Sequence, residues 1–279
     1  MTNLPERIRA VLHMPHDRWH AGLAQQLANA SWADLASIGI DRSSYGTCRV
    51  LQGRADAPRD GVILHVGSWR RPLLLERFDA QARERYRMVD LQEGPPPPPH
   101  AAASLLAEAM AYVDQAPQAG EAVRALVWSI SVLAVDDIAY DVSHSDPAVP
   151  FSVFLGLHHP IGSTPAFRLA ESLLHETMHL QLSLIENEVQ LVRGAHHQAH
   201  SPWQRRPRPT QGLLHGLYVF RVIQDWLRTC MAEGLHQSDE AHARRRITEI
   251  DEECAELALL WSSTDLTDDG RTLAKALSD

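Results

Sequence analysis

The sequence predicts an α+β protein that is predominantly helical and contains a small β-sheet. Long stretches place apolar residues three or four positions apart, as one face of a helix requires, and only a few short stretches are rich in β-branched residues. An HExxH motif lies inside the most strongly helical stretch. We therefore expect a zincin-like arrangement, in which the HExxH helix packs against a following long helix.

Composition narrows the classes of function. The 279 residues carry a formal net charge of −9, which argues against nucleic acid or an anionic membrane surface as the main partner. No apolar stretch has the length that spans a bilayer, and the first residues do not resemble a signal peptide. The three scattered cysteines favour reduced thiols, so we expect a cytoplasmic protein without a disulfide framework.

The first third of the chain is expected to form an N-terminal α+β region, residues 1–94. Helical spacing and short β-favouring runs alternate within it. The predicted elements are a helical section over 3–37, strands at 49–52 and 61–66, and a surface helix within 76–88.

A run of prolines follows this region. Proline fixes φ and has no amide donor, so residues 95–100 are predicted to be a semi-rigid spacer. Residues 101–279 are expected to be the mainly helical metal-binding catalytic region, either as a second unit or as part of one compact domain.

Helix and strand patterns alternate between the spacer and the motif. Residues 101–115 are predicted to be helical, whereas 123–135 fit either a buried helix or a strand. A loop is expected at 143–150, and the short apolar run 151–157 is predicted to be a strand. We expect this strand to be an edge strand near the metal, where it would order an extended peptide by main-chain pairing.

The HExxH motif consists of His175, Glu176 and His179. Residues four apart lie on the same helix face, so the two imidazoles can hold one metal ion with the glutamate beside them. Thr164 and Pro165 are a plausible N-cap and first helical residue, and the helix is expected to cover 165–193.

The rest of the chain is predicted to be a loop, two long helices and a polar tail. The loop covers 195–209, the helices cover 210–233 and 239–262, and the tail after Thr264 is expected to fray.

A catalytic metal needs a third protein ligand and an open position. The best candidate is His215, a polar residue in an apolar stretch between Gly212 and Gly216, which would allow close helix approach. Histidines 196, 197 and 200 compete for this role but are expected to be solvated. Glutamates 186 and 188 follow on the motif helix, and we expect them to be solvated or capping because 186 lies two turns from His179.

This ligand set leaves the metal open. Zinc held by three imidazoles would polarise a carbonyl and activate water, with Glu176 as the base. Ferrous iron would instead take a 2-oxo acid and dioxygen, which needs an arginine for the distant carboxylate. Arginines 205, 206 and 208 lie just before the His215 helix and are candidates for that role.

Two segments together resemble a known family. The segment 171–182, with its HExxH, and the segment 206–220 (RPRPTQGLLHGLYVF) are similar to the HExxH family of peptide-modification proteins. Some members are Fe(II)- and 2-oxoglutarate-dependent enzymes that hydroxylate a side-chain β-carbon of a ribosomally made precursor peptide. The resemblance implies His175 and His179 as iron ligands and Arg208 or Arg206 near the co-substrate.

The predicted function is therefore oxidoreductase chemistry on a precursor peptide, with Fe(II) and 2-oxoglutarate as cofactors. Glu176 would then support a ligand or water rather than act as a peptidase base. One alternative is a zinc-dependent HExxH peptidase or amidase that cleaves its substrate and depends fully on Glu176. Another is a non-catalytic module that only binds a peptide.

Overall fold

The protein is described by a computed structural model that covers residues 3–12, 21–67, 69–136, 141–157, 163–194 and 196–278. The helices are α1 (Leu4–Leu12), α2 (Ala21–Ser37), α3 (Thr47–Gln52), α4 (Ala80–Arg87), α5 (Pro99–Val113), α6 (Pro117–Leu126), α7 (Pro165–Glu188), α8 (Thr210–Glu233), α9 (Gln237–Ala255) and α10 (Asp268–Ser278). The strands are β1 (Gly61–Leu64), β2 (Leu73–Glu76), β3 (Ser129–Leu133), β4 (Ser143–Ser145), β5 (Ser152–Gly156), β6 (Gln198–Ser201) and β7 (Arg206–Pro209). The fold is α+β and mostly helical, as predicted.

Five strands form one mixed sheet in the order β1-β2-β3-β5-β4. The β2–β3 and β3–β5 pairs are parallel, and the two outer pairs are antiparallel. The strand expected at 151–157 is β5, but it lies inside the sheet, so the expectation of an edge strand there was wrong. The edge strand on this side of the sheet is β4, which occupies part of the loop predicted at 143–150.

The sheet joins strands from both sides of the proline run, because β2 pairs with β3. Gly94 donates its amide to the Val132 carbonyl (2.9 Å), so the run leaves directly from the sheet. Pro99 and His100 already belong to α5, which begins at Pro99 as a proline at the first helical turn allows. The division at 95–100 stays a prediction.

The HExxH helix α7 runs through the centre of the molecule. It packs against α5 and α8 and is buried along most of its length. Thr164 caps it by accepting the Phe167 amide at 3.3 Å, and Pro165 is its first residue, as predicted. The helix ends at Glu188 rather than at 193, because the next residues contact the C-terminal segment through a Val192–Leu266 bridge.

Several other expectations differ from the structure. Residues 49–52 lie in α3 rather than in a strand, because the buried Glu76 carboxylate accepts the Thr47 amide (2.7 Å) at the start of that helix. The ambiguous stretch 123–135 contains the end of α6 and all of β3. The tail forms α10, which packs so closely that a Cβ on Gly270 would lie 2.0 Å from the Leu191 carbonyl oxygen.

The second half of the chain was predicted with mixed success. Helix α8 has the expected bounds, and α9 begins near the expected residue but ends at Ala255. The segment 195–209 was predicted to be a loop, yet within its described residues β6 and β7 pair as an antiparallel hairpin. No helix in the described part of the chain has the length and apolarity needed to cross a membrane.

Candidate metal centre

The three predicted ligand histidines lie together where α7 meets α8. The ring centroids of His175 and His179 are 4.8 Å apart, as expected for neighbours on one helix face. His215 comes from α8, and its ring lies nearly parallel to that of His179 with a centroid distance of 5.6 Å. The structure thus brings His215 next to the HExxH pair.

The distance between His179 and His215 suits two ligands of one ion. Their Nδ1 atoms are 3.3 Å apart. Two nitrogens that each bond the same ion at about 2.1 Å lie about 3.0–3.4 Å apart for angles between octahedral and tetrahedral. The observed separation falls in this range, and it is also the length of an N–H···N hydrogen bond between the two rings.

Glu186 holds the His215 ring from the other side. Its Oε2 lies 2.9 Å from Nε2 of His215 and accepts a 3.0 Å hydrogen bond from the Gln211 side chain. A carboxylate at Nε2 favours the tautomer with the proton there, which leaves the Nδ1 lone pair directed toward His179. The expectation that Glu186 is solvated was therefore wrong. It is only 14% exposed and contacts a candidate ligand across the helix pair.

Glu176 is buried and fully engaged. Ser143 and Ser145 donate to its two oxygens at 2.6 and 2.7 Å. These serines are two residues apart on β4, so they lie on one face of the edge strand and attach it to α7. The nearer oxygen is 3.8 Å from Nε2 of His175. Glu176 thus holds the edge strand against α7 and lies near the first histidine, beyond hydrogen-bond distance.

The surroundings keep the two motif histidines neutral. Burial lowers the pKa of His175. Burial lowers the pKa of His179 well below its usual value, and the neighbouring imidazoles of His175 and His215 lower it further because adjacent rings repel when protonated together. A neutral imidazole keeps the lone pair with which it binds a metal ion.

Arg208 lies on β7, two residues before α8 begins, and close enough to His179 to affect its pKa. Its guanidinium fills the space next to Gly212, where a Cβ would be 3.0 Å from Nε, and its charge contributes to the lowered pKa of His179. Arg206 is two residues earlier on β7 and is exposed. Both arginines donate to the side-chain oxygen of Gln204, from Nη1 of Arg208 at 3.0 Å and Nε of Arg206 at 3.1 Å.

The two glycines beside His215 make room for the hairpin rather than for a helix. Gly212 admits Arg208, and a Cβ on Gly216 would lie 2.3 Å from the Trp203 ring. Trp203 stacks on Phe220 (4.8 Å between centroids), which in turn packs against the ring of His175 at 5.1 Å between centroids and an angle of 64°. An aromatic wall therefore covers one side of the histidine cluster.

The ligand assignment stays a prediction. Among the residues that the structure describes, no three His, Cys, Asp or Glu side chains already stand as a set that could hold a metal ion. The donor types and the His179–His215 spacing fit a borderline metal such as Fe(II) or Zn(II).

The competing histidines lie elsewhere. His196, His197 and His200 are exposed on the hairpin side, and His197 contacts Asp265 (3.2 Å). The sequence interpretation missed Glu186, Gln211 and the two serines. One signal was present: Glu186 follows His179 by seven residues, which places it on the same helix face.

Comparison with known proteins does not identify the chain. No family model matches it, and no curated protein matches it by sequence.

Proposed function

We propose that this protein is an Fe(II)- and 2-oxoglutarate-dependent oxygenase that hydroxylates a side-chain β-carbon of a ribosomally made precursor peptide. His175, His179 and His215 would hold the iron, and the pairing of α7 with α8 is then the zincin-like feature of the fold. Iron with 2-oxoglutarate and dioxygen supplies the oxidising power, and the products are hydroxylated peptide, succinate and carbon dioxide.

The observation that carries the proposal is the His179–His215 pair with an arginine beside it. The Nδ1 atoms stand 3.3 Å apart, and Arg208 has no carboxylate partner in the described part of the chain. Its planar guanidinium suits the distant carboxylate of a 2-oxo acid, because two parallel N–H groups bind carboxylate bidentately. Arg208 is favoured over Arg206, because Arg206 is exposed and lies two residues farther from α8.

The chain's own residues would orient the reactants and limit water. Glu186 fixes the His215 tautomer, and the wall of Trp203 and Phe220 excludes solvent on one side. The edge strand β4 is attached to α7 through Glu176, and the proposal has an extended peptide pair with this strand. The three cysteines are free and buried, which agrees with a reducing, cytoplasmic compartment.

The state of Glu176 favours the oxygenase over the zinc peptidase. A peptidase needs this carboxylate free to take a proton from water, whereas both its oxygens here accept serine hydroxyls. Glu176→Gln is therefore expected to retain metal and a measurable part of the turnover. Complete loss of turnover with metal retained would contradict a merely supporting role.

The decisive experiment combines metal analysis with mass spectrometry. The protein is purified without oxygen, loaded with Fe(II), and supplied with 2-oxoglutarate, air and the short peptides encoded beside its gene. We expect a mass gain of one oxygen atom that requires 2-oxoglutarate and is lost in His215→Ala. Cleavage of the peptide with zinc, independent of 2-oxoglutarate, would establish the peptidase instead. Tight binding without turnover would establish the non-catalytic module.

A further inference from the structure

The β6–β7 hairpin is fixed beside the histidine cluster. Trp203, in the turn of the hairpin, occupies the space that Gly216 leaves on α8, and its ring stacks on Phe220 with an interplanar angle of 20°. Gly212 likewise admits Arg208. The two glycines of α8, which have no side chains, thus allow two close contacts that hold the hairpin on the helix. The outer residues of the hairpin therefore have a defined position relative to the histidine cluster.

The hairpin is basic in an otherwise acidic protein. The whole chain has 35 Asp and Glu residues and a net charge of −9, yet the sequence contains no Asp or Glu between Glu188 and Asp225. That stretch holds Arg205, Arg206 and Arg208.

The charges of these arginines are not neutralised by the protein. Arg206 and Arg208 share the neutral side-chain oxygen of Gln204, and Arg205 and Arg206 are exposed. Within the described ranges, no carboxylate pairs with any of the three. Elsewhere in the molecule exposed arginines commonly pair with acids, as Arg244 does with Glu240 and Arg87 with Glu84.

We propose that Arg205 and Arg206 bind carboxylate side chains of the peptide substrate, so that the protein recognises an acidic peptide segment beside the modified residue. This inference rests on the proposed function for the identity of the partner as a peptide. The guanidinium fork binds carboxylates bidentately, and the fixed hairpin loses little entropy on binding. The net negative charge of the rest of the molecule repels an acidic peptide and directs it to the hairpin.

The test measures peptide binding to the protein as purified, by fluorescence anisotropy. The probes are fluorescein-labelled peptides with a repeated Glu-Ala, Gln-Ala or Lys-Ala dipeptide. We expect only the Glu-Ala peptide to bind, with an affinity that falls steeply as salt is raised. The double substitution Arg205→Glu, Arg206→Glu is expected to weaken this binding by about tenfold or more.

A matched control separates local recognition from net charge. Arg7→Glu combined with Arg70→Glu changes the charge equally at exposed positions outside the hairpin. We expect this variant to bind within about twofold of the unmodified protein, because distant surface charges are screened. Thermal melting verifies that both variants are folded.

Three results would overturn the inference: no binding of the Glu-Ala peptide, unchanged binding in the hairpin variant, or an equal loss in the control variant. A failure of the proposed function can be distinguished from a failure of this inference. A protein that binds the acidic peptide through the hairpin but never consumes 2-oxoglutarate leaves this inference standing as a peptide-binding surface.

Discussion

Two carboxylate–histidine pairs link α7 to its neighbours, and they differ in what lies at the second ring nitrogen. In one pair Glu186 contacts Nε2 of His215 at 2.9 Å, and in the other Glu171 contacts Nε2 of His242 at 2.8 Å. Nδ1 of His242 is contacted by Arg245 at 3.1 Å.

Arginine only donates hydrogen bonds, so the Nδ1 lone pair of His242 accepts a hydrogen bond from a group that cannot bind a metal. Nδ1 of His215 instead faces the ring nitrogen of another histidine, His179. A buried histidine is thus a candidate ligand when its second ring nitrogen faces another donor atom that a metal can share. Burial and a carboxylate partner alone do not distinguish it from a structural histidine.

The largest expected effect is a change in metal affinity when the histidine of one pair, but not of the other, is replaced. We expect His215→Ala to lower the affinity for Zn(II), used as a redox-stable probe, by more than about a hundredfold, because it removes a ligand. His242→Ala is expected to leave the affinity unchanged and to destabilise the fold by about 1–3 kcal/mol, because the buried Glu171 loses a partner.

Competition with a chromophoric chelator measures the affinity, and urea unfolding measures the stability. Equal affinities for His215→Ala and His242→Ala would remove the distinction between the pairs.

The carboxylate beside His215 is expected to have the next largest effect. Glu186→Ala should weaken Zn(II) binding by about 10–100-fold, as is usual for carboxylates that orient a ligand histidine. Glu186→Gln keeps an acceptor for Nε2 and should lose less. If Glu186 were itself a ligand, the Gln variant would bind as weakly as His215→Ala.

Glu188→Gln is the matched control for this series, since it changes the same charge two residues away on α7. Its Zn(II) affinity should remain within about twofold of the unmodified protein. A loss equal to that of Glu186→Gln would assign the effect to net charge.

The two pairs also show what sequence predicts and what it does not. The amphipathic patterns of α7 and α8 are local, and the spacing of His175 and His179 follows from helix geometry, so these features were predicted correctly. Glu186 was not expected at the site, because only its distance from His179 along α7 was considered. Its partner comes from α8, and that approach is a tertiary property.

The hairpin was missed for a related reason. Pro207 and Pro209 argue against a strand, but proline is tolerated on an edge where no amide donor is needed. The hairpin is held by the contact of Trp203 with Gly216, a glycine thirteen residues later in the chain. A pattern of helix or strand spacing does not predict such a contact.

The structural pair should show a pH-dependent stability. Burial alone would raise the pKa of Glu171, but the hydrogen bond from His242 and the charge of Arg246 outweigh it and lower the pKa to about 2. A folded-state pKa below the ordinary value of 4.5 stabilises the fold above pH 4.5, and this contribution is lost as the pH falls toward about 2.

Urea unfolding from pH 6 to pH 2 measures this contribution. We expect the unmodified protein to lose its stability advantage over Glu171→Gln in that acidic range. Parallel pH profiles for the two proteins would show that the carboxylate is not stabilised by its partners.

The smallest expected effect concerns Nδ1 of His242, the nitrogen that does not contact Glu171. Arg245→Gln weakens the contact at Nδ1 of His242, and because Arg245 is 57% exposed the stability should change by no more than about 0.5 kcal/mol. In the described part of the chain the aromatic ring that contacts His242 is that of Phe167, so no second histidine ring lies at ligand distance from that nitrogen. Zn(II) titration should therefore still reach a stoichiometry of one. A second equivalent bound by Arg245→Gln would mean that an unengaged nitrogen alone makes a site, and the facing ring of His179 would lose its significance.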